Sequence, residues 1–176
     1  DRDNLLLSCE SLLEFGTELK FEKQHLDFHY RSRHPFLIDF SNYAFYNQRL
    51  KPLPTNFEYV PIKYIQVNGT FTEHTNEAEA EMVLSIIDKN INRLPNGEYP
   101  TLGIATFNIA QRNLIKSKIL ERQKFTKFEE FNSKIQELEE NGMFIKNLEN
   151  IQGDERDVII LSTTYGIGKD RKFAQR

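Results

Sequence analysis

An α/β fold, a mostly parallel sheet flanked by helices, is what this chain predicts, on three observations. Helical and strand patterns alternate along its 176 residues, the order that builds parallel sheets. The apolar run Leu102-Gly103-Ile104-Ala105-Thr106-Phe107 reads as a buried strand and leads directly into Asn108, a residue type that caps helices. Finally, a polar turn with one glycine, Gln152-Gly153-Asp154-Glu155, leads into the β-branched run Val158-Ile159-Ile160-Leu161, the pattern of a buried parallel strand.

Taken in order, Leu5, Leu6, Cys9, Leu12 and Leu13 recur at helical spacing and predict a short amphipathic helix over residues 4–15. Leu26 to Tyr30 alternates as a strand. Pro35 opens a second helix at its first turn, where the missing amide costs nothing, with Leu37, Ile38, Phe40, Ala44 and Phe45 on its buried side. Lys51 to Pro61 holds three prolines and predicts a loop. Tyr59 to Val67 predicts a strand closed by the turn signal Asn68-Gly69. Asn76 with Glu79 three residues later makes a near capping box. The helix it starts runs to about Leu94 on Val83, Ile86, Ile87 and Ile91, ended by Pro95-Asn96-Gly97 and Pro100. Asn108 caps a helix carrying Ile109, Leu114, Ile115, Ile119 and Leu120. Residues 121–142 are rich in lysine and glutamate, with Phe125, Phe128, Phe131, Ile135 and Leu138 at helical spacing, and predict a helical insertion packed on the body. Phe144-Ile145 and Val158 to Leu161 supply the last strands.

Composition narrows the function. The length fits one domain, expected over residues 1–176, large enough to bury a core. No apolar run approaches the roughly 20 residues of a membrane span, so no membrane partner is expected. The chain opens on Asp1 rather than Met, and the expectation is a piece of a longer protein. One cysteine, Cys9, excludes an internal disulfide and suits a reducing, cytoplasmic compartment. The four histidines lack metal-ligand spacing, so no metal site is expected. A net charge of −3 argues against a broad electrostatic grip on duplex DNA. It leaves room for a narrow track of contacts along a single strand.

Three constellations could carry chemistry. His29-Tyr30-Arg31-Ser32-Arg33-His34-Pro35 sits at a strand-to-helix junction. It reads either as a basic surface loop or as a ligand-contacting edge, because α/β sheets bind ligands beyond the carboxyl ends of their strands and a guanidinium suits phosphate oxygens. Thr106-Phe107-Asn108 with Gln111 places a strand before a helix N-terminus, whose free amides suit a phosphate. There Asn108 can simply cap, with Gln111 closing the capping box. The turn Gln152 to Glu155 reads either as a charged turn before a core strand or as a site, where Gly153 permits close backbone approach.

In order, these segments resemble those of superfamily 1 helicases, specifically the second RecA-like motor domain. Leu26 to Pro35, Leu37-Ile38, Phe40-Ser41-Asn42, Phe45-Tyr46 and Leu50 resemble motif IV and the helix that follows it. Gly103 to Asn108 with Gln111 is similar to the family's strand-T-P-(Y/F)-x-x-Q segment, with Phe107 where proline is frequent. Asn147 to Ser162 resembles motif V. Lys146 to Ile159 with Tyr165-Gly166 is similar to the bacterial group related to upstream-frameshift and replication-nuclease helicases. The resemblance spans about residues 5–168. It implies a RecA-like, P-loop NTPase-type fold and an ATP-dependent DNA or RNA helicase whose ATP site is completed by a first RecA-like domain.

By the resemblance, Arg31 is an arginine finger, with Tyr30 beside it. Glu155 contacts the nucleotide sugar, with Gln152 and Gly153 in the adjoining turn. Thr106, Phe107, Asn108, Gln111, Ser162 and Thr163 face single-stranded nucleic acid. The chain has no G-x-x-x-x-G-K-(S/T) loop for phosphates and no acidic pair placed to hold Mg²⁺. It stops before motif VI, so ATP and Mg²⁺ are expected only in the full-length protein, with no turnover by this chain alone. Two alternatives stand beside this: a non-motor nucleic-acid-binding or regulatory module with the same fold, and an unrelated nucleotide-binding α/β enzyme.

Overall fold

Residues 8–53, 59–170 and 172–173 are described by the computed structural model. The single domain expected over residues 1–176 comprises two units, Asp1–Ile65 and Gln66–Arg176. Asp1, Leu5 and Leu6, named above, and residues 54–58 of the predicted loop lie outside the described residues.

In the first unit, helix α1 spans Leu12–Glu18. Its start is set by Ser11, whose hydroxyl accepts from the Glu14 amide at 3.1 Å, so a single helix over residues 4–15 is not what forms. A polar cap inside an apolar pattern ended the expected run. Strand β1, Phe28–His29, is shorter than the predicted strand and pairs in parallel with β2, Lys51–Pro52. The predicted loop thus opens with a short strand, and Pro52 closes it by lacking an amide. Helix α2, Phe36–Phe45, starts after Pro35 at φ −53° as expected. Its apolar side does not bury: Phe40 and Phe45 are exposed, and Asn42 is the helix's buried residue. Asn42 replaces a hydrophobic anchor with two hydrogen bonds, to the Leu50 carbonyl and from the Leu50 amide, at 2.8 and 2.9 Å.

Residues 59–67, which run from the end of the first unit into the second, form no strand, since Pro61 removes a ladder donor and no neighbouring segment pairs with them among the described residues. Instead β3, Phe71–Thr72, and β4, Thr75–Asn76, make an antiparallel hairpin. Its two turn residues, Glu73 and His74, both have positive φ (50° and 63°), as tight hairpins require. No glycine marks that turn, so the sequence concealed it.

Helix α3 then covers Glu77–Asn90 and ends before the predicted Leu94. Strand β5, Leu102–Thr106, is buried at every residue. It is the centre of a parallel three-stranded sheet in the order β6-β5-β7, where β6 is Phe144–Asn147 and β7 is Val158–Ser162. Helix α4, Ile109–Gln123, and helix α5, Glu129–Glu140, form the crossover between β5 and β6. The fold is α/β and RecA-like.

One core joins these parts: Ala80, Val83, Leu84 and Ile87 from α3, Leu102 and Ile104 from β5, Ile115 and Ile119 from α4, and Phe131, Ile135 and Leu138 from α5. Each large side chain buried there contributes about 1.5–3 kcal/mol. The segment expected as an insertion therefore shares the main core. Buried Lys134 of α5 donates its ammonium to the Ile87 and Asp88 carbonyls near the end of α3, satisfying helix-end acceptors. Among the described residues strand β7 lies at the edge of its sheet and is not fully buried: Ile159 and Leu161 are exposed while Val158 and Ile160 turn towards the core.

Candidate functional site

The register of the sheet puts three polar residues in one row. Thr106 lies opposite Asn147 on one side and Ser162 on the other, so the carboxyl ends of β5, β6 and β7 are all polar and all buried. This is the edge at which parallel sheets place ligands. The chain leaves it in a tight way: the Phe107 amide donates to the Ser162 carbonyl at 3.2 Å, and the Thr106 hydroxyl donates to the Asn108 carbonyl at 2.8 Å. Asn108 caps α4 as expected, its side-chain oxygen accepting from the Gln111 amide at 2.8 Å.

Gln111 does not close a capping box on Asn108. Its side chain is fully buried and turns to Asn76, accepting from the Asn76 amide at 2.8 Å and donating to the Asn76 carbonyl at 3.0 Å. A longer contact at 3.4 Å reaches the Ser162 hydroxyl. Asn76 caps α3 through the Glu79 amide at 3.1 Å, but its capping box is also left half-made, because Gln111 already occupies the Asn76 amide. The Glu79 carboxylate is released for other partners. It accepts from the Ser162 hydroxyl at 2.9 Å, and both its oxygens lie 3.0 Å from the Thr164 amide. Gly69 makes room for this frame: a Cβ there would sit 2.0 Å from the Asn76 side-chain oxygen.

Beyond β7 the backbone turns sharply. Thr164 has φ 69° and the Tyr165 amide donates to the Thr163 carbonyl at 2.7 Å, a three-residue turn. Positive φ at a β-branched residue is rare and costs of order 1–3 kcal/mol, sustained only when surroundings over-determine it. Here the surroundings do: Glu79 takes the Thr164 amide, and the Asn76 side-chain amide reaches the Thr164 carbonyl at 3.4 Å. Thr163 is exposed on this turn. The Tyr165 ring lies 5.5 Å from that of Phe71 and 6.4 Å from that of Phe107, and Phe107 is 39% exposed.

The residues expected at a nucleic-acid face are therefore gathered at one edge, but they divide. Thr106, Gln111 and Ser162 are sealed inside it, whereas Phe107, Asn108 and Thr163 have solvent-facing surface. The turn holding Gln152, Gly153 and Glu155 lies elsewhere along the chain. It runs from Asn147 at the carboxyl edge back to Asp157, which bonds Thr101 at the amino edge. Gly153 there has φ 86°, a conformation that favours glycine, and Asp154 pairs with Lys146 at 2.6 Å. Tyr30 and Arg31 are exposed in the first unit, where the His29 ring contacts the Ser32 hydroxyl at 2.8 Å.

Sequence reasoning missed Asn76, Glu79 and Thr164 as members of the site. The Asn76-x-x-Glu79 spacing announced a cap and nothing more. On the outer side of the same two helices, Lys118 of α4 bridges Glu77 and Glu81 of α3, and Arg122 pairs with Glu81. Hydrogen bonding from Lys118, then from Arg122, holds the Glu81 carboxyl below its ordinary range against an opposing effect of burial. Burial alone would lower Lys118, but its bonds to Glu77 and Glu81 outweigh that and leave it raised. Among the described residues, no three His, Cys, Asp or Glu side chains converge as a metal set. No helix there is long and apolar enough to cross a membrane.

Two relatives are similar over most of the chain. An uncharacterized ATP-dependent helicase of Mycoplasma pneumoniae is 35% identical over 144 residues, 80% of this chain and 13% of the relative. A second, from Mycoplasma genitalium, is 32% identical over 143 residues, again 80% and 13%. The chain thus spans about an eighth of the length of the curated relatives it matches. No solved structure matches it. The model of the AAA domain family matches residues 60–171, most of the chain and nearly all of the second unit, and to that helicase-type family this chain belongs.

Proposed function

We propose that this chain is the second RecA-like motor domain of a superfamily 1 DNA or RNA helicase, of the bacterial group named above, acting within a longer protein. The observation that carries the reading is the carboxyl edge of the sheet. There an exposed Thr163 on a strained turn, an accessible Phe107 and the capped N-terminus of α4 stand together. Hydroxyls and free amides of this kind suit a strand backbone, and exposed rings suit its bases. Names of relatives as ATP-dependent helicases support the same reading. The single strand would lie across Thr163, Phe107 and Asn108, with Thr106, Gln111 and Ser162 holding that surface from below.

In the full-length protein, ATP would lie between this domain and a first RecA-like domain. Tyr30 and Arg31 would face it, Arg31 stabilising charge on the transferring phosphoryl group, and Glu155 with Gln152 and Gly153 would hold the ribose. Mg²⁺ would be held by groups outside this chain, and the chain alone would hydrolyse no ATP. Closure on ATP and reopening after hydrolysis would move the two domains along the strand.

The test is single-strand-stimulated ATPase of the full-length protein, wild type beside Arg31→Ala. An arginine finger is worth about 10³–10⁵ in rate, so a folded variant should lose at least about two orders of magnitude. Equal rates would make Arg31 a surface arginine and remove the motif IV assignment. Absence of hydrolysis in both would favour the non-motor, nucleic-acid-binding or regulatory module.

A further inference from the structure

We infer that Glu79 is a positioning residue for strand binding: with Asn76 it clamps the Thr163–Tyr165 turn in the shape that presents Thr163 and Tyr165 to nucleic acid. This rests on the reading above that the carboxyl edge touches a single strand.

A carboxylate in the first turn of a helix has an ordinary role, since negative charge is favoured there. That role does not account for where this one points. Both Glu79 oxygens address the Thr164 amide, 85 residues away in sequence, and one also takes the Ser162 hydroxyl. The Thr164 carbonyl is held from the other side by the Asn76 side-chain amide. Thr164 itself is fully buried, so the clamp grips a residue that meets no ligand, between two neighbours that can. A threonine left to its own preference would continue the extended path of β7, and Thr163 would then face a different direction. The same turn sets the Tyr165 ring beside Phe107 and Phe71. A half-buried side chain on α3 thereby fixes an exposed hydroxyl and an aromatic group beyond β7.

The experiment measures affinity of the full-length protein for fluorescently labelled oligodeoxythymidine and oligouridine, by anisotropy. The variants are Glu79→Ala, Glu79→Gln, Thr163→Ala and the double variant Glu79→Ala/Thr163→Ala, each checked for native circular dichroism. Glu79→Ala should weaken binding about tenfold, and Glu79→Gln, which keeps an acceptor for the Thr164 amide, should stay within about threefold of wild type. Because Glu79 acts through its neighbour, the two alanine effects should fail to add. Thr164→Gly serves if Glu79→Ala does not fold. Glycine adopts positive φ without strain, so the protein should fold with a loosened turn and bind several-fold more weakly. Wild-type affinity in folded Glu79→Ala, or full additivity of the two alanine effects, would overturn the inference. So would wild-type affinity in Thr164→Gly where Glu79→Ala is unfolded. A wild-type protein that binds neither oligonucleotide would overturn the nucleic-acid reading first and the clamp with it, which sets the two failures apart.

Discussion

Replacing Gln111 separates its two possible roles, because a buried tie and a surface contact fail in different ways. Gln111→Met keeps the volume, so the change is dominated by lost hydrogen bonds and not by a cavity. The bonds at stake are the two that pair with both backbone groups of Asn76, at 2.8 and 3.0 Å, and Asn76 is only 3% exposed. Leaving one buried polar group unsatisfied costs about 1–3 kcal/mol, so two such groups cost about 2–6 kcal/mol. A domain's whole stability is about 5–15 kcal/mol, and the loss would be plain. Native-state hydrogen exchange of the β5 and α4 amides reads this unit by itself. Gln111→Glu keeps the acceptor but sets a buried carboxylate against the Asn76 carbonyl, so it should destabilise at least as much as the methionine variant. A change below about 0.5 kcal/mol in the methionine variant, the scale of ordinary surface substitutions, would refute the buried-tie reasoning. Weakened strand binding alongside it would return Gln111 to the surface.

Gly69→Ala should destabilise the same frame by about 1–3 kcal/mol, because the Asn76 side chain it would displace caps α3 and cannot swing away without losing that cap. A thermal melt unchanged from wild type would contradict the close approach. The Glu81 pair gives a pH dependence. Its folded value is depressed, so its stabilisation is present above the ordinary 4.5 and is lost as pH falls through the depressed value. Lys118 is raised, so its contribution is present below its ordinary 10.5 and is lost as pH rises through the raised one. Glu81 is half-exposed, so the effect is small, about 0.2–1 kcal/mol. Glu81→Gln should remove the pH dependence between 4.5 and the depressed value, and 1 M salt should mute it in wild type. An identical acid limb in both proteins would count against the pair.

Elements governed by local chemistry were legible in the sequence. Asn76 and Asn108 sit where capping residues should, and their bonds to the Glu79 and Gln111 amides are three residues long. The strand at Leu102 and the apolar run at Val158 announced themselves by composition. What stayed hidden depends on distant partners. The hairpin turn at Glu73-His74 lacks the usual turn residues and is held by its strands. The apolar side of α2 was visible as a period, but periodicity states which face is apolar and says nothing of whether a neighbour covers it. Most instructive are Glu79 and Gln111. Both satisfied a local rule, the capping box, and in both the side chain went instead to a backbone group 35 or 85 residues away.

That reassignment has a physical order to it. The Asn76 amide can donate fully to only one partner, and Gln111 offers an acceptor and a donor together, so it matches both backbone groups of Asn76 where Glu79 could match one. With that position filled, the Glu79 carboxylate can accept from Thr164 and Ser162, which supply donors and no competing acceptor there. Each choice leaves the next residue with a single good solution, which is how a buried polar network specifies one geometry instead of many. The sealed layer of Thr106, Gln111 and Ser162 thus lies beneath exposed Phe107 and Thr163 and half-buried Asn108, and a surface fixed from below in this way is what the proposed strand contact would need.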